Sequence, residues 1–256
     1  MPHSHPQPLD RTNALRRVRH LLPGAMALAS VAGFVNSVVL GFFHTPVSHM
    51  TGAVSHLGID LATGHPKDVL ASLSIVVGFL AGAVVAGLLV GALRLIPGRS
   101  YGIALMAEGG LLMTASALLA TGHRIGLPVV AMACGLQNAM ASSYCGLVIR
   151  TTHVTGTVTD IGVMLGHWLR HRQIDWWKLR FLSLLAFSFG AGGYGGALAG
   201  FRFGTISIAV TAAVVTVAGG TFWFLHHRGI VDLLQDAGVA PPRTGSFPVL
   251  PGEPRR

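Results

Sequence analysis

Charge is what this sequence lacks most. Only 11% of its 256 residues are charged, and nine are acidic, where a soluble domain carries about a quarter charged residues. That deficit, with a mean hydropathy of +0.61, excludes an ordinary water-soluble chain and points to the integral membrane class. Cysteine is nearly absent too. Cys134 and Cys145 fall in one apolar segment, form neither a disulfide framework nor a zinc spacing, and read as small free thiols. No Ser/His/Asp order, Walker loop or dinucleotide fingerprint occurs, so no cofactor is implied. "GAGGYGG" at 190–196 lies inside an apolar run, where helix packing accounts for it.

What is present is long apolar sequence. Six stretches, near 22–42, 69–95, 101–121, 126–147, 178–200 and 205–226, are long enough for a hydrocarbon core that needs about 20 helical residues. The intervening segments 43–68 and 148–177 are longer and semi-polar. The remaining connections are short, which predicts tight antiparallel hairpins between consecutive spans. A basic leader over 1–21 lacks the cleavage signature of a signal peptide. The leader and the Pro/Gly/Arg-rich tail over 227–256 read as disordered.

Positive charge orients the chain. With the N-terminus inside, six crossings leave only Lys67, Arg124 and Arg202 outside among 18 Lys and Arg, which favours cytoplasmic termini in an inner membrane. The net charge of +9 and pI of 11.0 therefore reflect orientation and not a nucleic-acid surface. The partner implied is the lipid bilayer, and a homo-oligomer is compatible with the sequence. Trp168, Trp176, Trp177 and Trp223, with Arg or Lys nearby, read as interfacial anchors.

The chain also repeats itself. "SHMTGAV" at 48–54 and "THVTGTV" at 152–158 share a His-x-Thr-Gly core at an offset of 104, and Asn36 and Asn138 pair upstream at an offset of 102. "GFLAGAVVAGLL" at 78–89 resembles "SFGAGGYGGALA" at 188–199. Two units follow, 22–121 and 122–226. Three spans is an odd number, so the units insert in opposite senses, as in many transporters. The fold expected is all-α: six transmembrane helices as two inverted three-helix repeats, each with a short re-entrant or interfacial helix after its His-x-Thr-Gly motif. If those short segments cross fully, there are eight spans and a parallel repeat, with Arg94, Arg99, Arg150 and Arg202 outside. Charge hardly separates the two. Asp60, His56 and the Gly64-His65-Pro66 end of the first segment favour six.

The stretches "GFVN…SHMTGAVSHLG…LATG" and "GLQNAM…TTHVTGTVTDIG" resemble the YoaK-like family of small bacterial multi-pass membrane proteins. The resemblance spans roughly residues 22–226. Members often carry Asp at the position of Asn36, and Thr-Gly-Asn in place of Thr51-Gly52-Ala53. What the resemblance implies is the class of protein, with no substrate or reaction.

Candidate site residues come from the polar positions. Thr51 and Thr155 each precede a glycine and an apolar-periodic run, as a helix N-cap does. Two such N-termini meeting near the midplane would offer unpaired N–H groups, with Gly52 and Gly156 allowing close approach and His49 and His153 flanking. Alternatively, the motifs only cap helices. Asn36, Gln137 and Asn138 either bond between helices or line a polar cavity. Glu108 is the one acid well inside a span, a functional position by default in lipid and suited to carrying a proton. His56 and Asp60, like His167 and His171, share helix faces but lack a third ligand, so no metal site is assigned. The leading function is a transporter or channel for a small solute, anionic in the reading of the helix N-termini, working by rocking of one unit against the other. A membrane-embedded His/Asp metal enzyme and a structural or assembly subunit are the alternatives.

Overall fold

The structure, a computed structural model, describes residues 11–90, 99–142 and 152–228. The first ten residues of the leader, the tail beyond Arg228, Cys145 and the ends of the spans expected to reach 95 and 147 lie outside the described residues. Every regular element within them is helical. The order is α1 (Arg11–Phe43), α2 (Met50–Thr63), α3 (Pro66–Val90), α4 (Arg99–Ala120), α5 (Gly126–Ser142), α6 (Val154–His171) and α7 (Trp176–Phe203). A 3-10 turn over Gly204–Ser207 then leads to α8 (Ile208–His227). The first helix begins at Arg11, inside the segment expected to be a disordered leader.

Length and composition mark a membrane protein. Four helical stretches are long and apolar enough to cross: Leu22–Phe43, Pro66–Val90, Ser100–Ala120 and the 52-residue run Trp176–His227, which contains α7, the 3-10 turn and α8. Gly126–Met140 is apolar but shorter. At about 1.5 Å per residue, the 14 residues of α2 reach about 21 Å, short of the roughly 30 Å core. Local chemistry sets its ends. Gly64 takes φ 72° at the C-cap, where the left-handed conformation favours glycine, and Pro66 opens α3 at a position that needs no N–H.

The packing meets the hairpin expectation at α4 and α5 and departs from it elsewhere. Helix α1 lies along α7, α3 along α5, and α4 along α8, while α7 and α8 do not pack on each other despite the short link between them. The intimate seams join elements far apart in sequence, and glycine makes them. Gly192 sits against the carbonyl of Ser30, Gly196 against that of Phe34, and Gly200 against Val38. Residue numbers rise together, so α1 and α7 are parallel. Gly78 meets the Pro128 carbonyl and Gly82 that of Met132, so α3 and α5 are parallel as well. In the third seam Gly102 faces the Gly219 carbonyl, Gly109 faces that of Ala212, and Ser116 donates to the Thr205 carbonyl at 3.2 Å. Numbers there run in opposite directions, and the pair is antiparallel. Small residues allow this approach, which supplies dispersion and Cα–H···O contacts where lipid gives helices no hydrophobic drive to associate.

The core sits on α1, α4 and α5. Val35, Val39, Ala104, Leu112, Val130, Ala131 and Leu136 are almost fully buried. Leu70, Val77, Leu80, Val84 and Leu88 of α3, Phe187, Tyr194, Leu198 and Phe201 of α7, and Val210, Val214 and Val217 of α8 point outward. An apolar exterior of that extent suits lipid.

These seams carry the first prediction. An added Cβ at Gly192 or Gly82 would enter the van der Waals shell of a backbone carbonyl, whereas Gly190 has nothing within 4 Å. Gly192→Ala and Gly82→Ala should each cost about 1–3 kcal/mol through overpacking. Gly190→Ala should be neutral or stabilising by up to about 1 kcal/mol. Equilibrium unfolding in detergent micelles checks the ranking.

Candidate functional site

Each His-x-Thr-Gly motif builds a compact polar turn. After α1 the chain reverses at His44 (φ 51°) and buries Val47 and Ser48. The Ser48 hydroxyl donates to Asn36 Oδ1 at 2.7 Å. In the second half the Thr152 hydroxyl donates to Asn138 Oδ1 at 3.0 Å. Both asparagines thus tie a span to the turn beyond it. The partners Ser48 and Thr152 were not among the expected site residues. Their signal is in the sequence, a hydroxyl immediately before each histidine at the same offset of 104.

The expected caps shift by two residues. His49 (φ −120°, ψ 105°) is the N-cap of α2 and His153 (φ −90°, ψ 55°) that of α6, neither with a side-chain capping bond. Thr51 and Thr155 lie within the first turns, exposed, and their carbonyls accept from Ser55 and Thr159 at 2.9 Å. The reason is the histidine ring. It folds back over the third helical residue, where a Cβ at Gly52 would lie 2.9 Å from His49 Cδ2, and one at Gly156 would collide with the His153 ring. Glycine makes room here for the imidazole of its own motif. Although His49 is partly exposed, burial of its ring lowers its pKa, and the charge of His56 adds to that.

The structure does not bring the two motifs together. Helix α2 packs on α3 and α6 on α7, and no backbone approach joins α2 to α6 among the described residues. Ser72 of α3 donates to Asp60 Oδ2 at 2.5 Å. Where α6 meets α7, Trp168 and Trp176 make an edge contact at 6.3 Å and the Arg172 guanidinium lies 5.7 Å from the Trp168 ring centre. Asp175 caps α7 by accepting from the backbone N–H groups of Trp177 and Lys178, each at 3.1 Å. The expected residues therefore sort into one turn with Asn36, His49, Thr51 and Gly52, another with Asn138, His153, Thr155 and Gly156, and a central pair, Glu108 and Gln137. Convergence of the two helix N-termini on one site is not found. Among the described residues no three His, Cys, Asp or Glu side chains gather to hold a metal.

Glu108 and Gln137 are among the most buried polar side chains of the described residues, and the largest of them. Glu108 is 1% exposed and Gln137 2%. Gln137 Nε2 donates across to the Leu28 carbonyl of α1 at 2.6 Å. Glu108 shares the buried stripe of α4 with Ala104, Leu112 and Ala115, and Cys134 of α5 lies close enough to interact with its carboxyl electrostatically. Glu108 Oε2 has no hydrogen-bond partner among the described residues.

Two measurements follow. Ser48→Ala and Thr152→Val each leave a half-satisfied asparagine and should each cost about 1 kcal/mol in equilibrium unfolding. For His49 the folded pKa lies below the usual 6.5, so on acidification the unfolded chain takes up the proton first. Stability should then fall as pH drops below 6.5 and level off below the folded value. His49→Gln should remove that part of the pH dependence of the melting temperature.

A family model described as a protein of unknown function (DUF1275) matches residues 24–221, and the YoaK-like resemblance is consistent with it. No curated protein and no solved structure matches the chain. The match covers both polar turns, the central pair and all three glycine seams, and the chain belongs to the DUF1275 family.

Proposed function

We propose that the chain is an inner-membrane transporter for a small polar or anionic solute. It crosses six times as two inverted three-helix units, α1–α3–α4 and α5–α7–α8, with both termini cytoplasmic. One observation carries this reading: the interhelix contacts exchange when the halves are exchanged. Mapping α1 onto α5 by adding 102, and α3 and α4 onto α7 and α8 by adding 110, turns the contact of Gly192 with Ser30 into that of Gly82 with Met132. It turns the contact of Gly33 with Phe189 into that of Gly135 with Phe79. Across the α4–α8 seam it turns the contact of Gly219 with Gly102 into that of Gly109 with Ala212. The hydrogen bond from Ser48 to Asn36 becomes that from Thr152 to Asn138. A pseudo-twofold of this kind is what inverted repeats produce.

Helix directions support six crossings over eight. With six, α1 and α7 run outward, α3 and α5 inward, and α4 opposes α8, which agrees with the parallel, parallel and antiparallel seams. With eight, α4 and α8 would run the same way. In the six-span arrangement α2 and its turn lie at the outer mouth and α6 at the inner one. Asn36 and His49 then meet solute on one side, Asn138 and His153 on the other, and the central pair lies between. Each N-terminus keeps its dipole and free N–H groups, but serves a mouth instead of a shared midpoint.

The mechanism follows from an asymmetry within the symmetry. Helix α4 packs extensively on α5, while the counterpart pair α8 and α1 touch only lightly. Exchanging the two arrangements gives a second state open to the opposite side. Because the glycine seams bind α1 to α7 and α3 to α5 across the units, the moving body is the α4–α8 pair, and whole units do not rock apart.

Topology is tested in a chain whose native cysteines are replaced. His65→Cys and His123→Cys should react with a membrane-impermeant maleimide in intact cells, while Gln173→Cys should react only after permeabilisation. Labelling of all three positions only after permeabilisation would establish eight crossings. Transport is tested in proteoliposomes offered labelled phosphate, sulfate, carboxylates and amino acids, with saturable uptake expected for one class. Uptake no greater than in protein-free liposomes across all of them would overturn the transporter reading.

A further inference from the structure

We infer that Glu108 is a proton-binding site, closed in this state and opened when α4 leaves α5. The inference rests on the transporter reading and names its coupling ion. Ionised and unpaired among alkyl side chains, a carboxylate costs far more than the neutral acid. Glu108 Oε2 is buried without a partner among the described residues. Among the described residues the helices packed on α4 offer no compensating charge near it. On α5 the nearest titratable group is the Cys134 thiol. Lys67 and Asp68 of α3 lie at its first turn, and His226 and His227 of α8 at its last, on either side of the bundle's middle. The surroundings also disfavour a metal cation. Among the described residues of the facing helix α5, Gln137 has its Nε2 committed to the Leu28 carbonyl, and Ala104, Leu112 and Ala115 on the buried stripe of α4 supply no side-chain oxygen ligands.

Packing alone does not require an acid here. The counterpart of Glu108, at an offset of 110, is Ala218, which occupies the matching place beside Gly219 in the same seam. What differs is exposure. Ala104, Glu108 and Leu112 are buried under α5, whereas their counterparts Val214, Ala218 and Phe222 are exposed or half-exposed. The two helices thus display the two settings of one surface, and exchanging them would uncover Glu108 as Ala218 is uncovered now. Water entering between α4 and α5 would then reach the carboxyl. The O–H bond of the acid breaks, the proton passes to that water, and the carboxylate keeps the electron pair. A proton taken up before closure restores the neutral form, so the closed state carries one proton without a buried charge.

Infrared difference spectroscopy of the purified full-length chain in lipid reads this directly. The expected result is a protonated carboxylic C=O band at neutral pH that is lost in Glu108→Gln and shifts within minutes of transfer to D2O. Should Glu108→Gln fail to fold, Glu108→Asp should move the band. No such band at neutral pH, a band unchanged by both variants, or one that resists deuteration for hours would each overturn the inference. The measurement needs no solute and no vesicle. Loss of the transporter reading would leave the band and its exchange in place, while saturable uptake by wild type with an unexchanging band would remove the proton and keep the transporter.

Discussion

The architecture depends on backbone meeting backbone at three glycine seams. In lipid the apolar surface of a helix is as well solvated outside the bundle as inside it, so association needs something lipid cannot match. Gly33, Gly192 and Gly196 between α1 and α7, Gly78, Gly82 and Gly135 between α3 and α5, and Gly102, Gly109 and Gly219 between α4 and α8 let carbonyls and Cα groups approach where any Cβ would intrude. These seams set which helices are partners and how they run. The buried stripes of α4 and α5, the placement of Glu108 and Gln137, and the attachment of the polar turns all follow from them.

Such seams separate two kinds of contact that a bundle of this size needs. Helices α1 with α7 and α3 with α5 are joined along several turns, a rigid attachment across the proposed units. The contact of α4 with α5 is made mainly by side chains, Leu112 and Ala115 among Val130, Ala131 and Cys134, with a single close glycine, Gly126 against Leu119 and the Ala115 carbonyl, at one end. A side-chain interface can part and re-form at less cost than a seam in which carbonyls fill glycine grooves. In the proposed cycle the difference decides where motion occurs, and it explains why the α4–α8 pair and not a sequence-contiguous unit is the body that moves.

Much of this was legible in the residues, and the failures have identifiable causes. Apolar length located the helices, and the offsets of 102, 104 and 110 on which the repeat is proposed were visible because matched polar residues stand out against alkyl sequence. The capping residue was misread because threonine has the stronger general preference at an N-cap. A histidine ring folded onto the glycine three residues ahead is a tertiary arrangement with no propensity behind it. The hairpin expectation held for α4 and α5 and failed for α7 and α8 for a related reason. Short loops suggest adjacent partners, but pairing is decided by which grooves are glycine-lined, and Gly82 finds Met132 fifty residues away. Glu108 was visible as an isolated acid, though its burial under α5 and the exposure of Ala218 required coordinates.

The proposed duplication is better read as geometry than as a site. Copying a three-helix unit copies every contact within it, and Ser48–Asn36 with Thr152–Asn138 are contacts of that sort, each holding a short helix to the span before it. What duplication does not copy is the pairing of central residues. The position that holds a carboxyl on α4 holds a methyl on α8, and Gln137 on α5 corresponds to Val35 on α1. Two halves alike in backbone and unlike at the centre can exchange conformations at nearly equal energy while presenting different chemistry in each state. The proposed transporter needs both properties: the matched backbones would supply the first and the lone acid on α4 the second.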